Sequence, residues 1–242
     1  ILEPYIRDET VKLVDLECGH NVRVRNIQPG VYKSIIKELQ GEVKWLAIID
    51  IDEFLLPMTE KDLPTTLRKH FDKASLIYVN WRNFGTSQKR LSHNDTRMIP
   101  NLTSCSLKSH PRNAIGKSIV RVDHVDLNKK PTPHFPILLR DKIVKYGDGK
   151  LFGGDGKPFN QISDLRSDGQ HHDKYLRINH YFTRDEGFWR DVKIPRILNR
   201  GEKMDIYDIM YNAFIQCKDT KIIDFLRKYH PHFLKTLNRE NK

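Results

Sequence analysis

The chain has 242 residues, enough for one large domain or a domain with a small appendage, and a hydrophobic share of 38% with 10% aromatic residues supports a packed core. No run approaches the roughly 18 apolar residues of a membrane-spanning helix. With 42 basic against 31 acidic residues the net charge is +11, which favours an anionic partner such as a sugar nucleotide, a membrane surface or nucleic acid; the charges are too evenly spread to choose among them.

The chain opens at Ile1 rather than Met, and the reading is of a fragment whose upstream part is absent. A short helix around Leu2 to Ile6 precedes an alternating strand from Val11 to Leu16. A helix follows over Val31 to Leu39, with Ile35, Ile36 and Leu39 on one side. Trp45 to Ile49 is apolar enough for a strand buried on both faces. Asp62 to Phe71 spaces Leu63, Leu67 and Phe71 by four, with Pro64 in the first turn of the helix this implies. Ala74 to Trp81 reads as a second buried strand, expected to neighbour the first.

From Ser87 to Gly116 the sequence is polar and irregular. Lys117 to Val122 is a strand candidate; a second irregular stretch, Asp148 to Gln170, contains Gly153, Gly154 and Gly156; and Tyr175 to Tyr181 alternates as a strand. Thr183 and Glu186 have capping-box spacing before a helix carrying Phe188, Trp189, Val192 and Ile197, which Pro195 should kink or end. Met204 to Cys217 and Thr220 to Tyr229 follow as helices. The expectation is an α/β core over residues 1–183 and a helical extension over 184–242. Cys18, Cys105 and Cys217 form neither a disulfide framework nor a zinc signature, and His171-His172 reads as an exposed pair. Asn94-Asp95-Thr96 and Asn101-Leu102-Thr103 match the glycosylation acceptor pattern, which matters only in a secretory lumen.

The most informative stretch is Trp45 to Pro57, where the apolar strand runs into Asp50, Asp52 and Glu53. Burying a carboxylate is costly unless it is paired or bound to a cation. At the carboxyl edge of a sheet, Asp50 and Asp52 can approach one hard divalent ion. Trp45…Asp50-Ile51-Asp52-Glu53-Phe54-Leu55…Pro57 resembles the signature of GT-A fold glycosyltransferases, more narrowly family 92 and the related family-2-like group. Trp81-Arg82-Asn83-Phe84-Gly85, Lys117 to Arg121, His134-Phe135, Asn179-His180-Tyr181 and Lys193-x-x-Arg196 resemble further blocks in the same order.

The resemblance implies a GT-A-like, Rossmann-like α/β fold with a mixed, mostly parallel sheet flanked by helices, its first strands missing here. It also implies transfer of a sugar from a nucleotide-sugar donor to a glycan, lipid-linked or protein acceptor, helped by Mn²⁺ or Mg²⁺. Asp50, Asp52 and a late histidine, His180 with His134 as its rival, are the implied metal ligands; Asp50 is alternatively a ribose contact. Glu53, Trp81, Lys117, Arg121 and His134 are candidate substrate contacts, Lys117 and Arg121 for the diphosphate and Trp81 as a pocket wall. Asp95, Asp148 and Asp155 sit in loops, and nothing separates them as a general base. Peripheral membrane association is compatible with the charge, and no nucleic-acid partner is expected. Two alternatives stand beside this reading. A phosphohydrolase of the haloacid dehalogenase type also places Asp-x-Asp after a strand, but Phe54 stands where that group has Thr or Val. A basic nucleic-acid-binding domain would need exposed aromatics among clustered basic residues.

Overall fold

The computed structural model describes residues 2–15, 24–92, 97–157 and 170–233. Its strands are β1 (Trp45–Ile48), β2 (Glu53–Pro57), β3 (Leu76–Asn83), β4 (Ser104–Cys105), β5 (Gly116–Arg121), β6 (Val144–Tyr146), β7 (Leu176–His180) and β8 (Cys217–Lys218). Its helices are α1 (Glu3–Arg7), α2 (Val24–Leu39), α3 (Leu63–His70), α4 (Met98–Asn101), α5 (Glu186–Phe188), α6 (Ile194–Asn199), α7 (Asp205–Ala213) and α8 (Lys221–Tyr229).

Six strands build the central sheet in the order β1-β5-β3-β7-β2, with β6 beside the first half of β3. Strands β1, β3, β6 and β7 share one direction, and β2 and β5 oppose them. The α/β class and the mixed, helix-flanked sheet agree with the sequence reading. The pairing is less parallel than expected, because β5 slots between β1 and β3. Ala47, Ile119 and Ile77 therefore lie in one row, and Ile48 and Ile77 are not on neighbouring strands. Order along the chain does not dictate order in the sheet when a later strand can pair with both.

Each face of the sheet has its own cover. On one face Ile36 of α2, with Tyr32 and Leu39, packs against Ile48, Leu76, Tyr78, Val120 and Phe135. On the other, Leu67 and Phe71 of the α3 segment pack against Ile77, Val79, Trp81, Ile119 and Ile178. Asp62 starts α3 by accepting from the Thr65 amide at 2.7 Å, with Pro64 in the first turn. Burying both faces is what permits the unbroken apolar run of β3.

Several local expectations are corrected. Residues 11–15 carry no strand, and Leu16 lies outside the described residues. Asp185, not Thr183, caps α5, accepting from the amides of Gly187 and Phe188, while the Thr183 hydroxyl is buried against Phe84 O. Pro195 neither ends nor sharply breaks the helical path: a π turn, Trp189–Lys193, precedes it and places Pro195 in the first turn of α6, where a missing N–H costs least. The helix expected through Cys217 ends at Ala213, and Cys217 is in a strand. The short α4, β4 and a 3₁₀ turn at Pro111–Ala114 give the segment from Ser87 to Gly116 its order. Ile222 and Ile223 of α8 pack with Leu56 of β2.

Candidate active site

Five strand ends meet at one edge of the sheet. Strands β1, β3 and β7 finish there, and β2 and β5 begin there. The register sets Glu53 opposite His180 and His180 beside Asn83. Alternate residues share a face, so Trp81 and Asn83 point the same way. Both touch His180: the Trp81 and His180 ring centroids are 4.3 Å apart, and Asn83 Oδ1 is 3.1 Å from His180 Nδ1.

The loop between β1 and β2 carries the carboxylates. Glu53 N donates to Asp50 O at 3.0 Å, and Asp50 N donates to Glu53 Oε2 at 2.9 Å, so Glu53 braces the turn that presents Asp50. Ile51, between the two aspartates, is 96% exposed, so the loop projects from the edge. Glu53 itself is buried, its Oε1 has no partner, and burial lifts its pKa to about 7 against the opposing pull of Lys117. Burial also raises Asp52, opposed chiefly by Lys193, with Asp50 adding to the rise. The Asp52 carbonyl accepts from Tyr181 N at 2.9 Å.

Lys117 is 2% exposed and spends its ammonium on Asp50 Oδ2, at 2.8 Å, and on Pro133 O, at 2.9 Å. It neutralises Asp50 rather than standing free at the edge as a diphosphate contact. Arg121 is at the far end of the same strand. It pairs in register with Trp45, lies over that ring at 4.9 Å, and donates to Ala74 O at 2.8 Å. Four residues of strand from Lys117 to Arg121 span about 13 Å. The register therefore corrects Arg121 from substrate contact to brace of the opposite edge.

The proton positions on both histidines follow from backbone anchors. Asn113 Nδ2 donates to Leu107 O at 2.8 Å, and Asn113 Oδ1 accepts from Asn83 N at 3.1 Å, which fixes that amide. Asn83 Nδ2 then donates to Asn113 Oδ1 at 2.9 Å, leaving Asn83 Oδ1 to accept from His180 Nδ1–H. His134 Nδ1 meets Gly116 O at 2.9 Å, and a carbonyl can only accept. Both imidazoles thus keep their Nε2 as an acceptor. Burial, then the nearby Lys193 and Lys117, push His180 down to about 3, and burial lowers His134 as well, so both are neutral. The His134 ring is also near Trp81, their centroids 5.6 Å apart.

These proton states suit metal ligands, but the positions do not complete a set. Among the described residues no three His, Cys, Asp or Glu side chains are grouped to hold an ion, so His180 does not join Asp50 and Asp52 in the expected three-ligand site. Its ring is drawn to Trp81 and Asn83 instead.

Sequence reasoning missed Asn83 and Asn113, whose only signal was an asparagine inside the Trp81 block and another in an irregular segment. Lys193 was noted only by resemblance; it lies 3.7 Å over the Phe182 ring and is the main cation opposing the rise at Asp52. His171 and His172 are corrected from an exposed pair to buried side chains, His171 Nε2 reaching Trp81 O at 2.6 Å and His172 Nδ1 reaching Asp148 at 2.8 Å. Asp148 is thereby engaged, Asp155 pairs with Lys157 at 2.9 Å, and Asp95 lies outside the described residues with the rest of its acceptor triplet. No general base is assigned.

A sequence model described as glycosyltransferase family 92 matches residues 4–135, more than half of the chain. That span holds the acidic loop, Trp81, Lys117 and His134. No curated protein matches the chain.

Proposed function

Because the chain belongs to glycosyltransferase family 92, we propose that the edge bearing Asp50, Asp52, Trp81, His134 and His180 binds a nucleotide-sugar donor and transfers its sugar to an acceptor. The observation that carries this reading is the convergence of five strand ends at one edge of the sheet, with neutral imidazoles beside perturbed carboxyls. Perturbed ionisable groups gathered in this way mark functional sites more often than surface charges do.

Asp50 and Asp52 would hold a divalent cation, Mn²⁺ in the first place and Mg²⁺ in the second. Their oxygens are hard donors, and a cation would offset both the burial that raises Asp52 and the smaller repulsion from Asp50. Donor diphosphate oxygens and water would complete the shell. Bound there, the ion would neutralise charge on the departing nucleoside diphosphate. The residues' own work is positional. Glu53 holds the Asp50 turn, Lys117 balances Asp50 in the absence of other cations, and Trp81 walls the site beside the two histidines. His134 and His180 would accept hydroxyl hydrogens through Nε2. The acceptor is a glycan, free or carried by lipid or protein, and net +11 suits work at the periphery of an anionic membrane.

The alternatives gain nothing from the structure. Phe71, Tyr78, Phe84 and Tyr181 are fully buried rather than displayed among basic residues, contrary to a nucleic-acid surface.

The test is a thermal-shift screen of nucleotide sugars with and without Mn²⁺, paired with calorimetric titration of Mn²⁺ alone. A ligand at a hundred times its Kd stabilises the folded state by about 2.7 kcal/mol. One nucleotide class should raise the midpoint, more so with Mn²⁺, and Asp52→Asn should weaken Mn²⁺ binding. No shift with any nucleotide sugar would overturn the donor reading; equal shifts under chelation would overturn the metal.

A further inference from the structure

Strand β8 meets the rest of the molecule through β4, and their register sets Cys105 directly opposite Cys217. Facing residues of an antiparallel pair have Cα atoms about 4.5 or 5.5 Å apart. Both spacings lie inside the range of about 4.4–6.8 Å that a disulfide spans. Cys217 packs against the cluster of Phe84, Leu102, Cys105 and Tyr181, so the two thiols share one apolar pocket. Neighbouring bonds hold the register: Asp219 N donates to Thr103 O at 2.9 Å, and the Asp219 carboxylate is gripped by Arg177 at 2.8 and 3.0 Å. Arg82 Nη2 donates to Cys105 Sγ at 3.4 Å, which holds that sulfur at the β4–β8 pair. Sequence spacing concealed the pair, since the two cysteines are far apart in the chain.

We propose that Cys105 and Cys217 form a disulfide that fastens the C-terminal extension to the core under oxidising conditions. The oxidant is a small-molecule or protein disulfide. The partly exposed Cys217 attacks one of its sulfurs as the thiolate, releasing one thiol and forming a mixed disulfide. The Cys105 sulfur then attacks Cys217 Sγ and displaces the second thiol. Two protons and two electrons pass from the cysteines to the oxidant, which becomes two thiols. The bond closes a loop of roughly 110 residues, long enough to stabilise chiefly by restricting the unfolded chain. That loop contains Lys117, His134 and His180, whereas Asp50, Asp52 and Trp81 lie outside it.

The test uses the wild-type chain equilibrated in oxidised and in reduced glutathione, then alkylated, digested without reduction and read by mass spectrometry. The expected result is a peptide linking Cys105 to Cys217, one of the three thiols left for alkylation, and a thermal midpoint higher in the oxidised sample. In Cys217→Ser the redox dependence of the midpoint should vanish. Three alkylated cysteines at full oxidation, or a link through Cys18, overturns the pairing. A linked peptide with an unchanged midpoint overturns the fastening role. The linked peptide is read on unmutated protein, so misfolding of the variant leaves the pairing decided.

Discussion

Strands β3 and β7 carry two polar clusters, one on each face, and the two are built differently. On one face Arg177 places Nε on Asn179 at 2.8 Å and its two terminal nitrogens on both oxygens of Asp219. Each nitrogen of that buried guanidinium meets an acceptor, and Asp219 balances its charge. On the other face Trp81, Asn83, His180 and Glu53 stand together with loose ends: Glu53 Oε1 is unpartnered, His180 is held neutral, and Glu53 is forced towards its neutral form. Burial is common to both. What separates them is how charge is met: Arg177 has its carboxylate partner and holds the molecule together, whereas Glu53 and His180 are pushed towards neutrality and leave the edge open to a ligand. The Arg177 face has loose ends of its own away from that guanidinium: Arg82 Nε and Nη1 and Asn179 Nδ2 lack partners.

The largest effect should come from cutting the Arg177–Asp219 pair. Removing one partner of a buried ion pair leaves the other charge uncompensated, at about 3–5 kcal/mol. Arg177→Ala should therefore lower stability by that amount in urea unfolding, and loss of activity should follow loss of fold. A variant that unfolds at the wild-type midpoint would erase the distinction between the faces.

Asp52→Asn should do the opposite. The substitution is isosteric and removes an unfavourable buried charge, so the midpoint should hold or rise. Sugar transfer should fall by about 10²–10³-fold, the scale of losing one transition-state electrostatic contact. Wild-type turnover in the variant would remove Asp52 from the mechanism.

Glu53 and His180 give the other face a pH signature with two signs. Glu53 moves from its ordinary 4.5 to about 7, so the folded state holds a proton that the unfolded chain has released. Stability from this group is full below pH 4.5 and is lost as pH rises towards 7, by at most about 3 kcal/mol. His180 falls from 6.5 to about 3, so the unfolded chain takes up a proton first, and stability is lost as pH falls below 6.5. Metal-free protein titrated by chemical denaturation should show both slopes, and Glu53→Gln should remove only the alkaline one. An unchanged alkaline slope in that variant would assign it elsewhere.

How much of this was readable beforehand depends on the range of the interaction. The apolar runs of β1 and β3, the proline and aspartate of α3, and the acidic loop are local, and periodicity and capping chemistry expose them. The insertion of β5 between β1 and β3 is not local. It alone decided that Lys117 reaches Asp50 while Arg121 goes to the other edge. Cys105 facing Cys217, and Asn113 orienting Asn83, likewise depend on segments that local pattern reads as irregular or, at Cys217, as the end of a helix. His180 was placed at the correct strand end, but strand position does not fix what an imidazole touches; Trp81 and Asn83 compete for the ring.

The smallest predicted effect is the most exacting test of the two faces. If Asn83 aims His180, then the chain of amides from Leu107 through Asn113 and Asn83 exists to keep a proton on Nδ1 and a lone pair on Nε2. ¹⁵N-resolved NMR of the wild-type imidazole should show the Nδ1–H tautomer and no titration near neutral pH. Asn83→Ala leaves a buried Nδ1–H without its acceptor, a loss of about 1–3 kcal/mol. The ring can recover part of that by moving its proton, so the variant should show a mixed or Nε2–H tautomer and weaker donor binding at modest loss of stability. Asn83→Asp keeps an acceptor and should restore the tautomer, while its charge raises the His180 pKa. An Nε2–H tautomer in the wild type would mean that Asn83 is turned the other way, and that the imidazole offers its neighbours a donor where a lone pair is expected.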